Sequence, residues 1–374
     1  MKIGILTLPL HTNYGGILQA WALQSVLTRM GHRVDVFGIK SESVHSNYAL
    51  PLVWFVRLIR RIKGQNDVSI FYEIKERRIR NRRFADIRRF VSKRINTKVI
   101  RKLNAIPENY YDTIVVGSDQ IWRKEYINSL WRSSNPEEAF LGAFNSQNTE
   151  RIAYAPSFGI DSWNFTENET IKIQDALSRF RAISVREISA VDLLKCATGT
   201  SATFVLDPTM LLTPGDYIEC LGICKKTENN KIVSYILDPN EETAKLISKI
   251  AATRGLENKE INLLHTCDKL LSIEKWVENI ANAEIVVTDS FHGCVFGIIF
   301  NKPLIFIINE SRGNARFASL ISTFGIQQNC LENAIEYDSE KTYSLPNDIQ
   351  SRLDRLRILS ISWLTESLKQ SHSE

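Results

Sequence analysis

Ala283-Glu284-Ile285-Val286-Val287-Thr288-Asp289-Ser290-Phe291-His292-Gly293-Cys294-Val295-Phe296-Gly297-Ile298-Ile299-Phe300-Asn301-Lys302-Pro303-Leu304-Ile305-Phe306-Ile307 reads as strand, tight turn, helix and strand. The run 285–287 is continuously apolar, as in a parallel strand buried on both faces. Asp289 and Ser290 fall where that strand ends and a helix begins, and Pro303 stops the helix before a second buried strand at 304–308. Ligands of open α/β sheets bind outside the carboxyl ends of strands. A helix amino terminus there offers free N–H groups and partial positive charge, which suits a phosphate. Ser290, Phe291 and Gly293 are therefore candidate anion-site positions. His292 falls on the first helical turn and can give or take a proton near neutral pH. The plain alternative is that Asp289 and Ser290 only cap the helix and His292 lies on the surface.

Working outward, the same rhythm recurs. A first strand at 2–8 leads through a turn ending in Asn13-Tyr14-Gly15-Gly16 into a helix at 17–30 and a strand at 33–37. The glycine pair permits close backbone approach to a ligand. It is not the dinucleotide fingerprint, because Gly-x-Gly-x-x-Gly is absent. Strands at 111–116, 151–155, 182–185 and 203–206 each end in a polar or glycine turn, giving a shared rim for a site. After a crossing near 211–216, strands at 231–237, 260–264, 285–287 and 304–308 alternate with helices. The expected fold is α/β, with two Rossmann-like, doubly wound domains facing a cleft. The expected bounds are 1–212 for the first domain and 213–345 for the second. A terminal helix within 346–370 is expected to pack back on the first domain.

The chain of 374 residues is long for one domain. It holds no run of eighteen apolar residues, and its first residues read as a strand rather than a signal peptide. Cys196, Cys220, Cys224, Cys267, Cys294 and Cys330 are scattered, without zinc spacing, and read as free, mostly buried thiols of a reducing cytosol. The formal charge of +5 conceals an uneven distribution. Residues 57–102 carry seventeen Lys and Arg against four acids, a net of +13, which leaves −8 for the rest.

That basic stretch lies in an insertion at about 41–102, where the α/β rhythm breaks. Residues 52–63 form an amphipathic pattern, with Phe55, Ile59 and Ile62 on one side and Arg57, Arg60 and Arg61 on the other. A second basic helix is expected at about 71–95. Basic residues beside aromatic and aliphatic ones suit an anionic membrane surface. A surface insertion packed on its own domain is the alternative. Nucleic acid is not expected, because no aromatic platform accompanies the charge.

Six motifs stand in order along residues 1 to about 325. They are Asn13-Tyr14-Gly15-Gly16-x-Leu18-Gln19, Val116-Gly117-Ser118-Asp119-Gln120-x-Trp122 and Ser184-Val185-Arg186-Glu187, then Leu206-Asp207-Pro208-Thr209, Thr288-Asp289-Ser290-Phe291-His292-Gly293 and Arg312-Gly313-Asn314-x-Arg316-Phe317. Together they resemble the polysaccharide pyruvyl transferase family, whose fold is similar to that of GT-B glycosyltransferases. The resemblance implies transfer of the enolpyruvyl unit of phosphoenolpyruvate onto two hydroxyls of a sugar, forming a cyclic ketal. A galactose-type residue of a lipid-linked surface-polysaccharide repeat unit is the expected acceptor, carried on a polyprenyl diphosphate at the cytoplasmic face of the bacterial inner membrane. The capsule or exopolysaccharide would be the end product, and the enzyme peripheral to the membrane.

Against that chemistry, Arg186, Arg312, Asn314 and Arg316 join Ser290, Phe291 and Gly293 as expected donor-binding residues, since guanidinium groups suit phosphate and carboxylate. His292 is the expected general acid, kept protonated by phosphate, and Asp119 the base for the attacking hydroxyl. Asp289 is expected to orient His292 or cap the helix. Asn13, Tyr14, Gly15, Gly16, Gln19, Gln120 and Trp122 are the expected acceptor contacts, with Tyr14 and Trp122 stacking on sugar. No cofactor or metal is expected. A GT-B glycosyltransferase using a nucleotide sugar is the alternative enzyme, and a scaffold without turnover the alternative outside catalysis.

Overall fold

The computed structural model describes residues 1–39, 50–62, 71–100, 109–130, 149–226, 230–262, 269–309, 313–331 and 334–369. Two parallel sheets organise them. The first contains β1 (Lys2–Leu6), β2 (Arg33–Ile39), β3 (Thr97–Ile100), β4 (Thr113–Gly117), β5 (Glu150–Tyr154), β6 (Ala182–Val185) and β7 (Thr203–Phe204), in the order β3-β2-β1-β4-β5-β6-β7. The second contains β8 (Lys231–Tyr235), β9 (Glu257–Glu260), β10 (Ile285–Thr288), β11 (Leu304–Ile307) and β12 (Cys330–Leu331), in the order β12-β11-β10-β8-β9. This is the expected α/β architecture of two doubly wound sheets.

The helices of the first half are α1 (Tyr14–Arg29), α2 (Leu50–Ile62), α3 (Tyr72–Arg83), α4 (Ala85–Arg94), α5 (Lys124–Leu130), α6 (Glu167–Ser178) and α7 (Ile188–Thr198). Then follow α8 (Pro214–Leu221), α9 (Glu241–Arg254), α10 (Ile273–Ala281), α11 (Phe291–Ile299), α12 (Asn314–Phe324) and α13 (Ile349–Leu368). Stops follow local chemistry. Gly199, Gly222, Gly255 and Gly325 end four of them in the left-handed conformation that a side chain disfavours.

Several elements depart from the sequence expectation. Helix α1 starts at Tyr14, so the glycine pair is the first turn of the helix and not a loop before it. The basic helix expected at 71–95 is two helices, broken at Phe84. The break has a packing reason: α4 turns Ile87 and Phe90 into the core beside Trp21, while α3 stays on the surface. Edge strand β3 lies inside the insertion at 41–102, just after the stretch expected to be helical, and β12 has only two residues. Strand β9 spans Glu-Asn-Lys-Glu rather than the apolar residues after it, because an edge strand paired on one side tolerates charge. Of the cysteines, only Cys294 is buried among the described residues, against the expectation of mostly buried thiols; Cys267 lies outside them. No helix among the described residues is long and apolar enough to cross a membrane.

The core is continuous across the two sheets. Tyr14 of α1 stacks on Trp276 of α10 with ring centroids 5.5 Å apart, and its hydroxyl donates to the carbonyl of Leu271 at 2.7 Å. Helix α13 is tied to the end of the first sheet. Ser360 Oγ accepts from the Leu206 amide at 3.0 Å, and Arg357 Nε donates to the Met210 carbonyl at 2.9 Å.

Candidate active site

Each sheet has one place where the chain reverses its direction of winding. In the first it lies between β1 and β4, and in the second between β8 and β10. A crevice opens at the carboxyl ends of strands at such a point. The loop after β1 ends at Asn13, and the loop after β4 carries Asp119. Asn13 Nδ2 donates to Asp119 Oδ2 at 3.3 Å across that crevice. In the second sheet, Asp289 follows β10 and accepts from the amides of Leu237 and Asp238, which follow β8. Asp289 thus clamps its own crevice. It neither orients His292 nor caps α11, whose N-cap is Ser290. Asn309 Nδ2 also donates to it, at 3.1 Å.

The two crevices meet. A methyl group at Gly15 would lie 1.9 Å from Nδ1 of His292, and one at Gly16 would lie 2.7 Å from Asp119 Oδ2. Only glycine lets the amino terminus of α1 enter between these groups. Asp119 and the preceding Ser118 both adopt left-handed backbone, φ 59° and 51°. Such pairs are held by their surroundings. Here the Ser118 amide donates to the Tyr154 carbonyl at 3.0 Å, and the Asp119 carbonyl accepts from the Ser157 amide at 3.0 Å.

Behind this meeting point lies a buried charge cluster. Arg186 and Asp207, both nearly inaccessible, pair through Nη1 and Oδ2 at 2.6 Å. Glu187 Oε1 lies 3.4 Å from Arg186 Nε, and Gln19 Nε2 donates to Asp207 Oδ2 at 2.5 Å. The hydroxyl and amide of Thr209 both donate to Asp207 Oδ1, at 2.6 and 3.0 Å. The same Asp207 Oδ2 sits 3.9 Å from His292 Nε2. Burial disfavours charge on Arg186, but the carboxylates of Asp207, Glu187 and Asp119 outweigh it and keep the guanidinium charged. Burial also raises the Asp207 carboxyl, but Arg186, His292 and the Thr209 hydroxyl together more than reverse this, holding it below its ordinary value. His292 is pushed down to about 4, first by burial and then by Arg186 and Arg316, against the pull of Asp207 and Asp119. Among these protein groups alone its imidazole is neutral at pH 7; the protonation expected of it was that of the phosphate-bound site. Arg316 is lowered to about 10, by burial first and then by Arg186, and remains charged.

Both arginines lie against Phe291, Arg186 4.6 Å and Arg316 5.3 Å from its ring centre. Arg186 Nη2 and His292 Nε2 are buried and have no hydrogen-bond partner among the described residues. Such orphaned donors and acceptors are costly unless a ligand satisfies them. A small pocket opens beside the cluster, lined by Arg186, Asp207, Phe291, Arg316, Phe204 and Leu320.

The expected residues fall into two groups. His292, Asp119, Arg186, Arg316, Phe291, Gly15 and Gly16 converge. Gly293 is needed for packing, since a methyl there would lie 2.2 Å from Thr288 Oγ1. Asn13 and Asn314 are exposed at the rim, and Arg312 lies outside the described residues. Four residues expected as acceptor contacts, Trp122, Tyr14, Gln19 and Gln120, are buried. Trp122 is fully buried against Phe158 and Phe180, with no face open to a sugar. Tyr14 is core, stacked between the halves, and burial raises its phenol well above the usual value. Gln19 is used by Asp207. Gln120 is also buried, its Oε1 accepting from Arg123 Nη1 at 2.8 Å. The residue that reading the sequence left without a role is Asp207. Its motif, Leu206-Asp207-Pro208-Thr209, showed only a turn, and the partners that make it central lie 188 and 21 residues away.

Among solved structures, HepE of Anabaena in complex with UDP and glucose is similar at 12% identity and TM-score 0.47, over 98% of this chain and 99% of that one. UGT89C1 of Arabidopsis thaliana with UDP-L-rhamnose is similar at 11% identity and TM-score 0.49, again over 98% and 99%. CalG4, the calicheamicin glycosyltransferase, is similar at 11% identity and TM-score 0.44, over 99% of both chains. These likenesses concern the course of the chain and carry nothing about ligands. No curated protein matches the sequence. The sequence model of polysaccharide pyruvyl transferases matches residues 13–311, a span that runs from the N-cap of α1 through Asp119, Arg186, Asp207 and His292, and the chain belongs to the polysaccharide pyruvyl transferase family.

Proposed function

We propose that this transferase moves the enolpyruvyl group of phosphoenolpyruvate onto two hydroxyls of a sugar in a surface-glycan repeat unit carried on a lipid diphosphate. The observation that supports this most is the convergence of Asp119, Arg186, His292 and Arg316 from four separate elements. A donor bearing phosphate and carboxylate needs two fixed cations. Arg186 and Arg316 supply them, both against the ring of Phe291, with the amino terminus of α11 beside them.

In this reading His292 gives a proton to the methylene carbon, and C2 becomes electron-poor. A sugar hydroxyl attacks C2 while Asp119 takes its proton, phosphate departs with its bridging oxygen, and the second hydroxyl closes the ring. Of the two hydroxyl hydrogens, one ends on the new methyl group and the other on phosphate, so no oxidant or reductant is needed. The acid must first be charged. The described cluster holds two cations and three carboxylates, so an anionic donor favours proton uptake, and in this reading His292 receives the proton.

The test is a thermal-shift titration with phosphoenolpyruvate beside a panel of nucleotide sugars. Binding to the native state raises the melting temperature by mass action. A shift with phosphoenolpyruvate that disappears in Arg186→Ala is expected. A shift with a nucleotide sugar alone would assign the donor to glycosyl transfer instead.

A further inference from the structure

The basic insertion presents a surface that the chemistry above does not use. In α2, Phe55, Leu58 and Ile59 share one face at helical spacing, and Phe55 is 59% exposed. Arg57 and Arg61 share another face. Phe71 and Tyr72, at the start of α3, are also half exposed and lie against α2. The rings of Trp54 and Phe71 are 5.3 Å apart, and Arg57 sits 6.0 Å from the ring of Tyr72. Six of the twelve residues of α3 are Lys or Arg and two are Glu. Water-exposed apolar side chains of this size, grouped and bordered by a net positive charge, mark an interaction surface.

The far end of this unit is anchored at the junction of the two sheets. The carbonyl of Arg83 accepts from the Leu270 amide at 3.1 Å, and Lys269 pairs with Asp86 at 2.8 Å. One turn earlier, the charge of Arg80 is felt at His11, two residues before Asn13 at the rim of the site. The carboxyl end of α3 therefore lies near the mouth of the crevice, and α2 packs at the other end of the same helix.

We infer that α2 and α3 dock the protein on an anionic lipid bilayer and hold the rim of the active site against it. The charge is complementary to acidic headgroups, and the apolar face of α2 gains a medium that neither water nor a nucleic acid offers. A duplex would engage the arginines and leave Phe55, Leu58 and Ile59 in water. The inference goes beyond the proposed reaction and does not depend on which group is transferred.

The test is co-sedimentation of the full chain with vesicles of phosphatidylcholine alone and of phosphatidylcholine mixed equally with phosphatidylglycerol. Binding to the mixed vesicles only is expected. It should fall by at least about tenfold in Phe55→Ser/Leu58→Ser/Ile59→Ser, and again in Arg77→Glu/Arg80→Glu, because apolar insertion and charge act together. All these side chains are on the surface, so the melting temperature should not move. Absence of vesicle binding by the wild type overturns the inference, as does binding that the apolar triple variant leaves unchanged. Loss of a dimer in the triple variant without vesicle binding would assign the face to a second copy. Duplex DNA binding without vesicle binding would assign it to nucleic acid. Vesicle binding is read without turnover, so its failure and a failure of the proposed reaction are distinguishable.

Discussion

Gly15 and His292 touch across the two sheets: a single methyl group on the first would lie 1.9 Å from Nδ1 of the second. The first turns of α1 and α11 meet there. The position of the imidazole is therefore set by a residue 277 positions earlier that has no side chain.

Gly15→Ala should displace His292 or push the amino terminus of α1 away from it. A misplacement near 1 Å can cost about a hundredfold in rate. The overpacking itself should destabilise by about 1–3 kcal/mol. Turnover and urea unfolding of the same variant separate the two effects. Wild-type turnover in Gly15→Ala would show that His292 need not be held there.

His292 should make stability fall as the solution is acidified. Its folded value of about 4 lies below the ordinary 6.5, so between these values the unfolded chain binds the extra proton. Stability is then complete above pH 6.5 and declines as pH falls towards 4, by roughly 3 kcal/mol for this group. Urea unfolding at a series of pH values, for wild type and His292→Leu, should show a shallower acid decline in the variant. The same coupling predicts that phosphoenolpyruvate binding takes up a proton near pH 7. Calorimetry in two buffers of different ionisation enthalpy should detect it, and His292→Leu should remove it.

Asp207→Ala should cost about 3–5 kcal/mol, because it leaves the buried Arg186 guanidinium without its principal counter-charge. It also removes the acceptor of Gln19 and Thr209. Urea unfolding measures the loss, and a change below about 1 kcal/mol would mean that Arg186 finds another partner or reaches water. Replacing Arg186 and Asp207 together by apolar residues should recover much of the stability while eliminating donor binding.

Local chemistry fixed what could be read along the chain. Short apolar runs bounded by turn residues, such as 285–287 and 304–308, read as buried strands in a chain of alternating helices, so the α/β class was legible. Turn residues at strand ends gave the site candidates, and six ordered motifs gave the family. The limits were equally physical. Strands β3 and β12 exist because a neighbouring strand offers them hydrogen bonds, which no local propensity encodes. An aromatic after a polar turn is the same in sequence whether it faces a sugar or a core, and burial against Phe158 and Phe180 settled Trp122. Asp207 became central only when folding brought Gln19, Arg186 and His292 to it from three elements. Low local dielectric then made their charges interdependent. The residues and their order came from the sequence; which of them meet, and what charge His292 carries, was decided by tertiary packing, because desolvation and pairing depend on neighbours distant in the chain.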